Sequence, residues 1–146
     1  MIAPMIVLLS ATAAAAMPAP HRIAVEHRGA HYDIGYRPAA TMTTRTVGMA
    51  AGSKPSGERC RWTTTVRVER SIRRAGDTGS AIATMLPAAR TLGGQTPGDC
   101  RQVRARVTRA SAAQVAKIET HLIETAQADR AAALAAIDAA FSLAQR

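Results

Sequence analysis

Two histidines four residues apart, each with a carboxylate nearby, are the residues of this chain best suited to chemistry. They lie in Val25–Tyr36, "VEHRGAHYDIGY". Glu26, His27, His31 and Asp33 together would offer two imidazoles and two carboxylates, a donor set for a divalent metal or an acid–base pair. The flanking apolar residues argue otherwise. Ile23 and Val25 are odd-numbered, whereas Tyr32, Ile34 and Tyr36 are even. In an antiparallel hairpin, opposite residues share a face, so aligning these apolar faces demands a loop of even length. A two-residue turn at Arg28-Gly29 pairs Ile23 with Ile34, Val25 with Tyr32 and Glu26 with His31. A turn at Gly29-Ala30 suits a type II′ geometry but opposes Glu26 to Asp33, a like-charge pair, so the first is preferred. A three-residue loop would oppose the histidines but would also set Val25 against Asp33. In both even registers His27 leans to the apolar face and His31 to the polar one. No metal site is expected.

Other catalytic patterns are absent. The chain contains no G-x-S-x-G elbow, no H-E-x-x-H, no phosphate-binding loop and no dinucleotide fingerprint. His121 reads as a helix-surface residue, and the acidic residues are few and dispersed. No catalytic residue and no cofactor is expected, with a hydrolase or metal-dependent enzyme a distant alternative.

Cys60 and Cys100 are the two cysteines. A redox pair would normally be C-x-x-C, and two cysteines make only half a zinc site, so a structural disulfide is expected. Closing a loop of 40 positions would stabilise the fold by about 4 kcal/mol in the chain-entropy model. Such a staple suits a chain with only one Trp, two Tyr and one Phe to build a core.

Arginine dominates the charge: 19 Lys and Arg against 10 Asp and Glu leave a formal net charge of +9. That balance favours acidic partners. Arg101, Arg104, Arg106 and Arg109, preceded by Arg73, Arg74 and Arg90, are the candidate anion-binding residues. On a helix the four spread over about 200° at 100° per residue, too wide for a ridge tracking phosphates. Arg101 and Arg104 would also oppose the helix dipole. Aromatic side chains are not interleaved with these arginines, which argues against single-stranded nucleic acid.

The elements that must position these residues follow from periodicity. "MIAPMIVLLSATAAAAMPAP" has no charged side chain, a short apolar run and an Ala-rich stretch. It reads as an export signal over 1–16, cleaved after Ala16, although no Lys or Arg precedes the apolar run. About 16 residues broken by Pro4 are too few to span a membrane, so no transmembrane segment is expected after cleavage. Residues 17–146 then form one domain. Alternation predicts strands over about 22–87: one on each side of the hairpin turn, the second ended by Arg37-Pro38; "TMTTRTVGMAA"; "CRWTTTVRVERSI", with Cys60, Trp62, Thr64, Val66 and Val68 inward; and "AIATMLP", stopped by Pro87. "GSKPSGE", "RRAGDTGS" and "LGGQTPGDC" read as loops.

A helix is expected over about 99–145. Asp99 and Gln102 form a capping-box-like pair, although "RQVRARV" also alternates as a strand would. Unbroken, that helix would run about 70 Å, against about 40 Å for a twelve-residue strand. It must therefore overhang the sheet or break, most simply near Asp129. The apolar series Val103, Val107, Ile118, Leu122, Ala126, Ile137 and Phe141 drifts around the axis, so the end "AAALAAIDAAF" would face away from the sheet. A homodimer through the C-terminal helix is one consequence.

"VEHRGAHYDIGYRP", "TTRTVGMAAG" and "RCRWT", with a second Cys opening a C-terminal helix, resemble small exported bacterial proteins of unknown function. The resemblance implies the arrangement of sheet, disulfide and helix and no activity. The expectation is an α+β protein: an antiparallel sheet of four to five strands followed by a long C-terminal helix packed on it. It would be exported to the periplasm or beyond and would act without catalysis, by binding an envelope protein or an anionic surface. An anion- or lipid-binding module is the alternative.

Overall fold

The computed structural model describes residues 17–49, 57–79 and 81–145; the expected export signal and most of the "GSKPSGE" loop lie outside them. Four strands form one antiparallel sheet in the order β1-β2-β3-β4: β1 His21–His27, β2 Ala30–Val47, β3 Arg59–Arg74 and β4 Ile82–Pro97. Two helices follow, α1 Arg104–Ala112 and α2 Val115–Ala144. The architecture is the expected α+β arrangement. No helix among the described residues is long and apolar enough to cross a membrane.

The β1–β2 hairpin turns at Arg28-Gly29, both at positive φ (51° and 70°), with Ile23 opposite Ile34 and Val25 opposite Tyr32. This is the two-residue turn that apolar parity demands. Its right-handed twist matches that of the strands it joins.

Three expected breaks in the strands are absent. Arg37-Pro38 does not end a strand, because β2 runs on to Val47 and Pro38 pairs with Val68 on β3. The ladder between β1 and β2 stops at His21–Tyr36. Pro38 therefore sits just beyond β1, where its missing N–H deprives no strand of a partner. Pro87 does not end β4 either. The register moves from Arg67–Ala89 to Glu69–Met85, leaving Leu86, Pro87 and Ala88 opposite Val68 alone. Pro87 thus occupies a bulge on an edge strand, a site where proline is tolerated.

The third break, "LGGQTP", is strand rather than loop. Gly93 and Gly94 pair with Thr63 and Trp62. A Cβ on Gly94 would lie 2.7 Å from the Trp62 indole. The glycine is there to admit the ring, not to break the strand.

These longer strands resolve the length conflict. At 3.3 Å per residue, an 18-residue β2 reaches about 60 Å, against about 45 Å for a 30-residue α2. The helix also breaks, but at Ala113-Gln114 rather than near Asp129, which lies inside α2. The sequence from Asp99 to Gln145 holds no Gly or Pro, so packing rather than composition places the break. Val103 and Val107 pack with Cys60 and Trp62, while Ile118 packs with Val66 and Leu92. One straight axis does not serve both. Past the break, Leu122, Ala126, Ala133 and Ile137 cover Val25, Ile34, Tyr36, Val68 and Ile72. The apolar face of "AAALAAIDAAF" therefore points into the core through Ala133 and Ile137, while Phe141 and, just beyond it, Leu143 are exposed.

Cys60 and Cys100 form a disulfide that ties β3 to the segment before α1, consistent with an oxidising location. Asp99 shapes that segment. Its Oδ1 accepts the Arg101 N–H at 2.9 Å, and its Oδ2 accepts the Thr46 hydroxyl at 2.9 Å. The expected cap thus organises a turn, and regular helix begins only at Arg104.

Candidate functional site

All the helical packing falls on one face of the sheet, where β3 buries Cys60, Trp62, Thr64, Val66, Val68, Arg70 and Ile72. The intervening residues point the other way, to a face that neither helix covers. Its cross-strand rows follow from the register. Arg45, Arg61 and Gln95 are neighbours; so are Thr43, Thr63 and Gly93; then Thr41, Thr65 and Thr91; then Ala39, Arg67 and Ala89. Threonine, β-branched with a short polar tip, serves as both a good strand former and a hydroxyl donor. The middle of this face is thus a hydroxyl-rich platform with Arg67 at one end and Arg45 and Arg61 at the other.

Arg45 and Arg61 stand directly opposite each other, both exposed. Like charges in that position are unfavourable. No ion pair to either side chain occurs among the described residues. Nearer the hairpin the same face is charge-balanced. Asp33 is opposite Arg73, and Arg37 Nη2 donates to Glu69 Oε2 at 2.9 Å. Between them lies a groove of about 400 Å³, floored by Gly35 and Ser71 and rimmed by Arg22, Arg37 and Arg73. Gly35 keeps the floor low, since a Cβ there would sit 2.9 Å from the Ser71 hydroxyl.

The histidines do not converge. His27 Nε2 pairs with Asp138 Oδ1 of α2 at 2.8 Å, and Arg28 Nε reaches the same carboxylate oxygen. These contacts hold the Asp138 carboxyl below its ordinary range, His27 contributing most. His31 lies exposed opposite Glu26, so the two imidazoles serve different faces. Among the described residues no three His, Cys, Asp or Glu lie close enough to share a metal.

Family models, curated proteins and solved structures all lack a significant match.

The arginines expected to bind anions lie just before and along α1. Arg101, Arg104, Arg106 and Arg109 are all exposed around the start and length of α1, and none is in an ion pair among the described residues. His121, expected on the helix surface, is partly buried. Burial first, then Arg90, pushes its imidazole below the ordinary value.

Sequence reasoning missed one cluster altogether. Asp129 Oδ1 and Oδ2 accept from Arg70 Nη1 at 3.0 and 2.9 Å, and Oδ2 accepts the Tyr36 hydroxyl at 3.1 Å. Burial, then the Asp129 charge, pushes the Tyr36 phenol up to about 12. A phenol held neutral and a carboxylate already receiving these donors join β2, β3 and α2 as a polar clamp inside the core. The one available signal was Arg70 itself, a charged residue at an inward-facing position of a mostly apolar strand face.

Proposed function

We propose that this protein is exported and works without catalysis, by binding, through its open sheet face, anionic groups on the surface of the cell envelope. The observation that carries this reading is the Arg45–Arg61 pair beside the threonine rows. Two arginines held at directly opposed strand positions at a local electrostatic cost gain from an anion bridging them, each through a planar fork of donors. The open sheet face also gathers its arginines and hydroxyls on one side, whereas the arginines of α1 radiate around its axis. The disulfide and the apolar, Ala-rich leader support export to an oxidising compartment. The absence of catalysis is supported by the chemistry-bearing residues at Asp129 and Asp138, both engaged in pairs that join helix to sheet.

Vesicles containing phosphatidylglycerol test the reading. Binding is expected to weaken from low to physiological salt, because exposed charges are screened over about 8 Å there. It should fall at least tenfold in Arg45→Ser/Arg61→Ser and change little in Arg104→Ser/Arg109→Ser. Affinity indifferent to salt, or to the loss of Arg45 and Arg61, overturns it. Protein recovered from the periplasm should have lost residues up to about Ala16.

A further inference from the structure

The free edge of β2 points to a second copy of this chain. In a two-residue hairpin the residues flanking the turn, here His27 and Ala30, exchange hydrogen bonds. Even-numbered β2 residues therefore aim their backbone groups at β1, and odd-numbered ones at β3. The bond from the Ala75 N–H to the His31 carbonyl agrees with this. Beyond Tyr36, β1 has ended while β3 continues to Arg59 opposite Val47. Past Pro38, which has no N–H, the backbone groups of Ala40, Met42, Thr44 and Thr46 thus face an open edge among the described residues.

The two sides of the sheet treat their edges differently. β4 carries a bulge with Pro87 and ends at Pro97, devices that discourage further pairing. From Ala39 to Val47, β2 has no Pro, no Lys and no bulge, and Met42 is 44% exposed.

We infer that two copies pair antiparallel along this edge, about a two-fold axis at Thr43, to form one continuous sheet. The register is self-selecting. With Thr43 on the axis, Ala40 opposes the partner's Thr46 and Met42 the partner's Thr44. All four open residues then find partners, making about eight backbone bonds at two per pair. Moving the axis to Met42 sets Thr46 against the partner's Pro38 and loses a donor. Moving it to Thr44 sets Ala40 against Gly48, which lies beyond the strand at φ 102°. In the chosen register Arg45 opposes the partner's Thr41. The two copies of Arg45 lie about four residues, roughly 13 Å, apart, more than the screening length at physiological salt. The exposed Met42 side chain meets the partner's Thr44 and, diagonally, Met42. The pairing stands independently of anion binding.

Crosslinking in the full chain tests it. Thr43→Cys on the axis is expected to form an intermolecular disulfide on mild oxidation, since facing positions there fall within the reach of that bond. Thr41→Cys and Phe141→Cys should not. Light scattering should give twice the chain mass. Thr44→Pro, which removes an edge N–H that β3 does not use, should raise the dimer dissociation constant at least tenfold with an unchanged circular dichroism spectrum. A chain monomeric at high concentration and uncrosslinked at Thr43 overturns the inference and leaves the edge to a strand from another protein. Dimers that crosslink at Phe141 instead place the contact on α2 and overturn it equally.

Discussion

Arg70 on β3 and Asp129 on α2, 59 residues apart in sequence, form an ion pair at 2.9 Å with side chains 8% and 10% exposed. Such a pair holds helix to sheet at a fixed register rather than adding much stability, because desolvation offsets most of the attraction. Breaking it from one side is another matter. Asp129→Ala strands a buried guanidinium, whose Nε already has no partner among the described residues, and is expected to cost about 3–5 kcal/mol. Arg70→Met with Asp129→Leu should recover most of that loss. Urea unfolding of the three proteins checks both, and a double variant no more stable than Asp129→Ala would contradict the coupling.

The same carboxylate accepts the Tyr36 hydroxyl. Its phenol is pushed up to about 12, by burial first and then by Asp129, against about 10 in an unfolded chain. Between those values the unfolded state loses a proton that the native state keeps, so the stability contribution is full below about pH 10 and declines as pH rises towards 12. Absorbance titration of the native protein should show this late phenol ionisation, and Tyr36→Phe should abolish it.

Asp138 titrates in the opposite direction. Hydrogen bonds from His27 and then Arg28 lower its pKa from the ordinary 3.8. Its contribution is therefore present above that value and lost as pH falls through the native one. Acid unfolding of Asp138→Asn should lack this component, seen as a smaller drop in Tm below pH 4 than in the unmodified chain.

Gly94 lies 2.7 Å, at a virtual Cβ, from the ring of Trp62. Gly94→Ala is expected to destabilise by about 1–3 kcal/mol through overpacking and to shift the fluorescence of the only Trp. Gly76→Ala, whose Cβ meets nothing within 4 Å among the described residues, should leave that fluorescence unchanged, although its φ of 79° carries a backbone penalty of its own.

Hairpin register, the inward face of β3, the disulfide and most of the helical apolar series were legible because each rests on local periodicity or pairing parity. The prolines and glycines misled for a common reason. Pro38, Pro87 and Gly94 read as breakers only if every strand position must donate a bond and carry a side chain. Pro38 escapes because β1 has ended, Pro87 because a bulge frees it, and Gly94 because Trp62 needs the space.

By itself, then, the amino-acid order determined the α+β class, the turn at Arg28-Gly29, the partner of Cys60 and the opposite facing of His27 and His31. These are properties of neighbours along the chain, or of a count of two. Tertiary structure decided that Arg70 meets Asp129, that the helix breaks at Ala113-Gln114, and that Arg45 faces Arg61 on the side of the sheet away from the helices. Each depends on where distant segments stop, because burial and hydrogen bonding are settled by whichever strand or helix is absent as much as by those present.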